Sequence, residues 1–222
     1  MSSFRDYLTF YRQFRSRFET TGAIAPSSGF LARAMANPLR QRDPAKGPVR
    51  VLEIGPGTGA VTGSIVKHIQ EGDTFDLVEL NEVFAATLDE RFESDPKWNR
   101  IRANTTVHVR PLQEFPIDEP YDFIISGLPL NNFPEDLVNE ITECYFKLLA
   151  PGGVLSYFEY MYIRSIRKRI AKKSERQRLT SIDATLAGYV QKYRIKRNWI
   201  FANIPSAWVQ HLRAPIEPEA AS

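Results

Sequence analysis

The stretch VLEIGPGTGAVT, residues 51–62, joins a strand pattern to a helix pattern through a loop of alternate glycines. Its apolar run ends at Ile54, and helix-forming residues over 61–70 follow the loop. Glycine allows positive φ angles and close approach of a ligand to the backbone, and the start of a helix offers unpaired amides. The spacing G-x-G-x-G also occurs in a tight strand-to-helix turn that binds nothing, so neighbouring residues must decide between the two.

Strand and helix patterns alternate along the chain from Val49 onward. The predicted strands are 50–54, 75–80, 106–109, 121–126, 153–158, 193–201 and 207–212, and the predicted helices are 61–70, 82–92 and 134–149. Such alternation favours an α/β domain with a largely parallel sheet. The last two strands flank the short turn ANIPS, which predicts an antiparallel hairpin at the sheet edge. The prediction is thus a seven-stranded, mostly parallel sheet with a C-terminal antiparallel hairpin.

Composition excludes several other classes of protein. A chain of 222 residues can bury the core of one domain, and a single cysteine, Cys144, excludes an internal disulfide and suits a reducing compartment. Charges interrupt the N-terminal stretch, so no secretory signal is visible, and no run approaches the ~20 apolar residues of a membrane span. No histidine lies in a motif and no metal-ligand spacing occurs. We therefore expect a cytoplasmic protein without a metal.

Two acidic residues accompany the glycine loop. Glu53 precedes Gly55 by two residues, and Glu79 ends the second predicted strand. An acid at that position can accept both hydroxyls of a ribose, which predicts a cofactor that contains adenosine. Pro56 and the E-x-G-x-G-x-G spacing leave less room for a pyrophosphate, and a terminal hairpin is foreign to dinucleotide-binding folds. These features favour S-adenosylmethionine over NAD.

The glycine-loop residues resemble those of class I methyltransferases, which implies a Rossmann-like three-layer sandwich. A second motif, SGLPLNN (126–132), follows the fourth strand and resembles the acceptor loop of bacterial phosphatidylethanolamine N-methyltransferases. TGAIAPSSGFLARAMA (21–36), LLAPGGVLSYFEY (148–160) and the terminal NWIFANIPSAWVQHLR (198–213) also resemble that family. Three departures are visible: Ser126 stands where amino-directed enzymes carry Asn or Asp, Leu130 replaces their aromatic residue, and no Asp follows the third strand.

The resemblance implies roles for named residues. Those expected to bind the cofactor are Glu53, Gly55, Gly57, Gly59, Glu79, Leu80, Leu112, Gln113, Ser126, Gly127 and Leu128. Those expected to shape the acceptor side are Pro129, Leu130 and Asn132. The implied activity is transfer of methyl groups to the amine of phosphatidylethanolamine, in one or more steps toward phosphatidylcholine.

Methyl transfer to an amine requires a neutral nitrogen, and therefore a proton acceptor or a path to water. Aromatic faces suit the later methylated nitrogen, because they attract a cation without needing its N–H. We expect Tyr160, Asn131 and Glu159 to serve these purposes. The alternative is that Phe158 lies in the core and the neighbouring tyrosines lie on the surface of a strand.

Two basic segments point to a phosphate-rich surface. In residues 4–18, aromatic and apolar side chains recur at helical spacing beside arginines, which suits a helix in a bilayer interface but also a helix that caps the core. Residues 163–178 carry eight basic side chains and one acid, which favours an anionic leaflet, although RNA would satisfy the same charges. The predicted membrane residues are Phe4, Tyr7, Leu8, Tyr11, Phe14, Arg167, Lys168, Lys172 and Lys173.

The predicted organisation has three parts: an N-terminal membrane or substrate cap (1–36), a methyltransferase domain (37–213) with a basic helical insertion around 161–192, and an acidic tail (214–222). The expected partners are an anionic membrane surface and its phospholipid, at the inner face of the cell membrane. An RNA or DNA adenine N-methyltransferase is the main rival, and a module that binds the cofactor without catalysis is a second one.

Overall fold

The structure, a computed structural model, describes residues 28–130, 133–161, 186–203 and 205–216. Within them, seven strands form one sheet in the order β3-β2-β1-β4-β5-β7-β6. The strands are β1 (Arg50–Ile54), β2 (Thr74–Glu79), β3 (Thr105–Val109), β4 (Tyr121–Ser126), β5 (Leu149–Tyr160), β6 (Arg194–Ile200) and β7 (Ala207–Arg213). The first five pair in parallel, and β7 runs antiparallel between β5 and β6. The predicted α/β fold with its C-terminal hairpin is confirmed.

Helices cover both faces of the sheet. They are α1 (Gly29–Met35), α2 (Asn37–Arg40), α3 (Thr62–Ile65), α4 (Glu82–Ser94), α5 (Pro96–Asn99) and α6 (Glu135–Leu148), and residues 186–193 are also helical. Local side chains set several of their starts: Ser28, Asn81 and Asp95 each accept a hydrogen bond from a backbone amide in the first turn. Such caps satisfy amides that the helix itself leaves without a partner.

The hydrophobic core lies in two layers, one on each face of the sheet. Helix α6 and residues 186–193 pack on one face, and α1 and α3–α5 pack on the other. Adjacent residues of β1 enter different layers, Leu52 the first and Val51 the second, because successive side chains of a strand alternate between faces. This arrangement gives three layers, with the sheet in the middle.

The helix predicted over 61–70 is wrong in length, because α3 ends at Ile65. The Gln70 amide donates to a carboxylate oxygen of Asp73 at 2.7 Å, and Arg42 pairs with the same carboxylate at 2.6 and 2.8 Å. The guanidinium of Arg100 donates a hydrogen bond to the carbonyl oxygen of Ile69 at 3.1 Å. The nearby Asp73 and the distant Arg100 therefore bind polar atoms that a longer helix would have used.

Strand β5 is longer than predicted, because it begins at Leu149 and continues through Pro151, Gly152 and Gly153. Its pairing with β4 shifts register between Tyr121 and Phe123, which accommodates this irregular start. A Cβ atom at Gly153 would lie 2.8 Å from the Tyr121 carbonyl oxygen, so the close pairing requires glycine there.

The predicted N-terminal segment is described only from residue 28, where α1 buries Leu31, Ala32 and Met35 against the sheet. Of the acidic tail, the structure describes residues 214–216. Among the described residues, no helix has both the length and the apolar character needed to cross a bilayer.

Candidate functional site

The candidate site lies at the carboxyl ends of β1, β2 and β4. Ile54, the last residue of β1, is in register with Val78 of β2 on one side and with Ser126 of β4 on the other. The strand order reverses between β1 and β4, and ligands of open α/β sheets bind in the crevice at such a point. The glycine loop and the SGLPLNN loop leave the sheet side by side there.

The glycine loop adopts a conformation that L side chains rarely reach. Gly55, Gly57 and Gly59 have φ angles of 67°, 59° and 83°. The loop is also tightly packed: a Cβ at Gly55 would lie 2.6 Å from Leu128 Cδ2, and one at Gly59 would lie 2.7 Å from Trp98 Cη2. The three glycines are therefore required by backbone geometry and, at two of them, by contact as well.

Gly127 brings the second loop against the first. Its amide donates to the carbonyl of Ile54 at 2.8 Å, and a Cβ at this position would lie 2.7 Å from the Gly55 carbonyl oxygen. Because both contacts involve backbone atoms, neither loop can move aside by changing a rotamer. The acceptor loop and the glycine loop thus form one rigid wall.

Glu79 is fully buried and its carboxylate binds the glycine loop. One oxygen accepts the Gly57 amide at 2.9 Å, and the other accepts the amides of Leu80 and Asn81, each at 2.9 Å. The carboxylate therefore fixes the conformation of the loop. Its expected hold on a ribose remains a prediction.

Glu53 is a buried acid on β1, fully shielded from solvent. Burial raises its pKa to about 8, the charge of Glu79 adds to the rise, and Thr62 opposes it. Thr62 lowers this pKa through its hydroxyl and its backbone, although among the described residues neither Glu53 carboxylate oxygen makes a hydrogen bond of regular geometry. A buried carboxyl with unmade hydrogen bonds suits a cationic or hydrogen-bonding ligand.

Ser126 anchors the acceptor loop to α6. Its hydroxyl lies 2.6 Å from the hydroxyl of Tyr145, and it accepts the Leu128 amide at 3.3 Å. Sequence reasoning missed Tyr145, because its spacing in α6 matches the apolar face of that helix. The signal that could have found it is a phenol on a face that is otherwise buried and apolar, since such a hydroxyl needs a partner.

The remaining predicted cofactor and acceptor residues form an apolar wall. Leu112, Leu128 and Leu130 are buried in the same hydrophobic cluster, and the half-buried Leu80 packs against it. Pro129 is half-buried and Gln113 is exposed. The structure thus gathers the leucines at the site, whereas Gln113 faces solvent.

Strand β5 extends past the site. Tyr157 is level with Ser126, so Glu159 and Tyr160 lie two and three residues beyond the edge formed by β4. Burial raises the pKa of Tyr160 to about 12, so its phenol stays protonated at neutral pH, and its ring packs edge-on against Phe158 at 5.2 Å. Phe158 is a core residue, as the alternative interpretation has it, whereas Tyr157 is buried and does not lie on the surface of the strand as that alternative also has it.

Several predicted residues lie outside the described part of the chain. They are Asn131 and Asn132 of the acceptor loop and all nine predicted membrane residues: Phe4, Tyr7, Leu8, Tyr11, Phe14, Arg167, Lys168, Lys172 and Lys173.

Comparison with known proteins agrees with this geometry. Residues 51–153 match the profile of the family described as "Methyltransferase domain". An ornithine lipid N-methyltransferase of Singulisphaera acidiphila is 27% identical over 157 residues, which cover 71% of this chain and 79% of that protein.

Solved structures show the same fold at low sequence identity. The N-methyltransferase NodS from Bradyrhizobium japonicum, solved with S-adenosylhomocysteine, has a TM-score of 0.56 and 16% identity over 82% of this chain and 87% of its own. An O-methyltransferase from Bacillus cereus, also solved with S-adenosylhomocysteine, has a TM-score of 0.59 and 16% identity over 93% and 90%. The fold is thus the Rossmann-like methyltransferase fold.

The matched methyltransferase domain contains the glycine loop, both buried acids and Gly127. These residues fit S-adenosylmethionine. The glycines let the backbone approach a ligand closely, and Glu53, which has no hydrogen-bond partner of regular geometry among the described residues, offers a carboxyl for the positive charge of the cofactor. Leucines supply apolar surface beside them. Residues 51–153 therefore form a methyltransferase domain that binds S-adenosylmethionine, and its activity falls in EC class 2.1.1.

Proposed function

We propose that this S-adenosylmethionine-dependent methyltransferase methylates the primary amine of a membrane lipid, with phosphatidylethanolamine as the first candidate. The observation that carries the proposal is the relative named as an ornithine lipid N-methyltransferase, which aligns with 71% of the chain. The motif SGLPLNN supports it, because it resembles the acceptor loop of phosphatidylethanolamine N-methyltransferases. Ornithine lipid is the second candidate on account of that relative, and both lipids present a primary amine.

When bound, S-adenosylmethionine would supply a methyl group to the lone pair of a neutral amine; the N–C bond forms as the C–S bond breaks, S-adenosylhomocysteine is the leaving group, and the methylated amine then releases a proton. The loops around Gly55 and Gly127 would hold the cofactor, and Glu79 would keep the glycine loop in shape. Ionised Glu53 would balance positive charge, because a cation nearby favours the charged form of a carboxyl. The main work of the protein is then to orient the two reactants.

The acceptor side would act on the amine and its proton. Tyr160 stays protonated at neutral pH, so its role would be an aromatic face and a hydroxyl rather than a base. Glu159 is half-buried on β5 just past the site, and it would accept the proton that the amine releases, directly or through water. Asn131 would contribute a hydrogen bond to the amine. Each methylation removes one N–H, so aromatic contacts would gain importance in later steps.

The proposed partners are an anionic membrane surface at the inner face of the cell membrane and the phospholipid within it. The aromatic and basic segments 4–18 and 163–178 support this, because their composition suits a bilayer interface and anionic head groups. The rival substrate, adenine in RNA or DNA, is an outcome that the experiment below can detect.

The test uses the purified full chain with methyl-labelled S-adenosylmethionine. The protein and the labelled cofactor are incubated in three parallel reactions. The first contains vesicles of phosphatidylethanolamine and phosphatidylglycerol, the second contains vesicles in which ornithine lipid replaces phosphatidylethanolamine, and the third contains total RNA. We expect label in the phosphatidylethanolamine arm, with mass spectrometry showing how many methyl groups were added. Label in ornithine lipid alone would move the substrate to that lipid. Label in RNA and in no lipid would refute the proposal.

A further inference from the structure

Three large aromatic side chains are exposed near the C-terminal hairpin. Phe30, Trp199 and Phe201 have 63%, 51% and 68% of their surface exposed. Trp199 lies next to the last residue of β6, and Phe201 is the first residue of the turn that leads into β7. Phe30 is on the first turn of α1, two residues after Ser28, whose amide donates to Asn203 of the same turn at 3.0 Å. We call these three residues the hairpin surface.

The rings of the hairpin are braced by one another. Trp199 stacks on Phe201 with ring centres 6.0 Å apart and meets Trp208 edge-on at 5.6 Å. The guanidinium of Arg197 lies 5.2 Å from the Trp208 ring. Aromatic rings that hold their orientation while exposed, next to an arginine, have the amphipathic character of a membrane-interface belt.

The hairpin surface lies at the same edge of the sheet as the cofactor site. Tyr160, at the end of β5, pairs with Ala207, at the start of β7. The amide of Met161 donates to the carbonyl of Ser206 at 2.8 Å. The turn between β6 and β7 therefore stands beside the carboxyl end of β5, at the edge where β1, β2 and β4 carry the site.

Two segments outside the described residues attach at this edge. Residues 1–27 join the structure at Ser28, which is bonded to the hairpin turn, and residues 162–185 leave it at Met161. These are the segments whose sequences carry the predicted aromatic and basic membrane residues. Arg197 of β6 adds a basic side chain near the turn, and residues 197–206 contain no acidic one. An anionic partner complements this charge.

We propose that Phe30, Trp199 and Phe201 insert into the interface of an anionic bilayer and turn the cofactor site toward the lipid head groups. This inference rests on the proposed lipid substrate, since docking at this edge would bring an amine to the acceptor loop without extracting the lipid. Arg197 of β6 contributes attraction to anionic head groups, and the rings contribute burial of apolar surface.

The test measures vesicle binding without the cofactor, so it does not depend on catalysis. The full chain and a Trp199→Ser/Phe201→Ser variant are sedimented with phosphatidylglycerol–phosphatidylethanolamine vesicles. The matched control is Ile195→Ser/Ile216→Ser, which removes two exposed apolar side chains away from the turn. We expect the hairpin variant to lose binding by about tenfold to hundredfold, as the loss of two partly buried rings implies, and the control to bind within about twofold of the original chain.

Further measurements distinguish a loss of membrane docking from a loss of folding and from a loss of catalytic activity. A Trp199→Phe variant keeps an aromatic ring and should retain binding, and all variants should share the melting temperature of the original chain. The hairpin variant should still methylate lipid dissolved as short-chain monomers at the original rate. Equal vesicle binding by the hairpin variant would overturn the docking proposal even if lipid is methylated. Hairpin-dependent binding without any lipid methylation would support docking and refute the proposed substrate.

Discussion

The contact between Gly127 and Gly55 predicts the effect of adding a single methyl group at the site. In Gly127→Ala the new Cβ would lie 2.7 Å from the Gly55 carbonyl oxygen, and 3.6 Å from the Ile54 carbonyl oxygen. An ordinary carbon–oxygen contact is about 3.3 Å, so the two loops must separate by about 0.6 Å. Overpacking of this kind lowers the free energy of unfolding by about 1–3 kcal/mol. The strain arises between the glycine loop and the acceptor loop, which are expected to hold the cofactor.

We therefore expect Gly127→Ala to bind S-adenosylmethionine about tenfold to hundredfold more weakly and to lower the turnover number as well, because misplaced reactants lose orientation. Calorimetric titration with S-adenosylmethionine and S-adenosylhomocysteine measures the affinity, and thermal unfolding of the ligand-free protein measures the strain. Gly188→Ala is the matched control, since no atom lies within 4 Å of its added Cβ. Wild-type affinity and melting temperature in Gly127→Ala would refute the reasoning.

Three further predictions concern buried polar groups. Because the pKa of Glu53 is raised to about 8 in the folded protein, its carboxyl group loses its proton at lower pH in the unfolded chain than in the folded one. The free energy of unfolding should therefore fall as the pH rises from about 4.5 to 8. Denaturant titrations of Glu53→Gln should show a smaller fall over the same pH range. Burial lowers the pKa of His211 to about 4, so stability should fall as pH drops from about 6.5 to 4; an unchanged acid slope in His211→Gln would contradict this. Ser126→Ala should cost about 1 kcal/mol of stability and slow turnover, and Tyr145→Phe should match it if their mutual hydrogen bond is what matters.

The fold could be predicted from sequence because its signals are local. The apolar residues Val51, Leu52 and Ile54 of β1 and the glycine loop after them identify a parallel strand and its turn without reference to any other segment. The sequence-predicted strands and observed strands differ by one or two residues except at β5. At β5 the sequence predicts a turn over Pro151, Gly152 and Gly153. In the structure these residues belong to the strand, because β5 pairs with β4 there.

The candidate site could be predicted only in part. Its glycines and its two acids are visible in the sequence, since spacing relative to a strand end places them at one edge of the sheet. What each acid contacts is not visible: Glu79 binds three amides, and Glu53 binds no group among the described residues. Tyr145 is 19 residues from Ser126, and nothing in helical periodicity indicates that their hydroxyls meet.

The order of strands and helices, the glycine loop and the acids beside it can be read from the sequence, because backbone conformation and side-chain periodicity are properties of neighbouring residues. Three features follow from the folded chain alone: Gly127 touches Gly55, burial raises the pKa of Glu53, and the aromatic hairpin turn lies at the edge of the sheet that carries the cofactor site. These features depend on contacts between distant segments and on the exclusion of water, both of which arise when the helices pack on the two faces of the sheet.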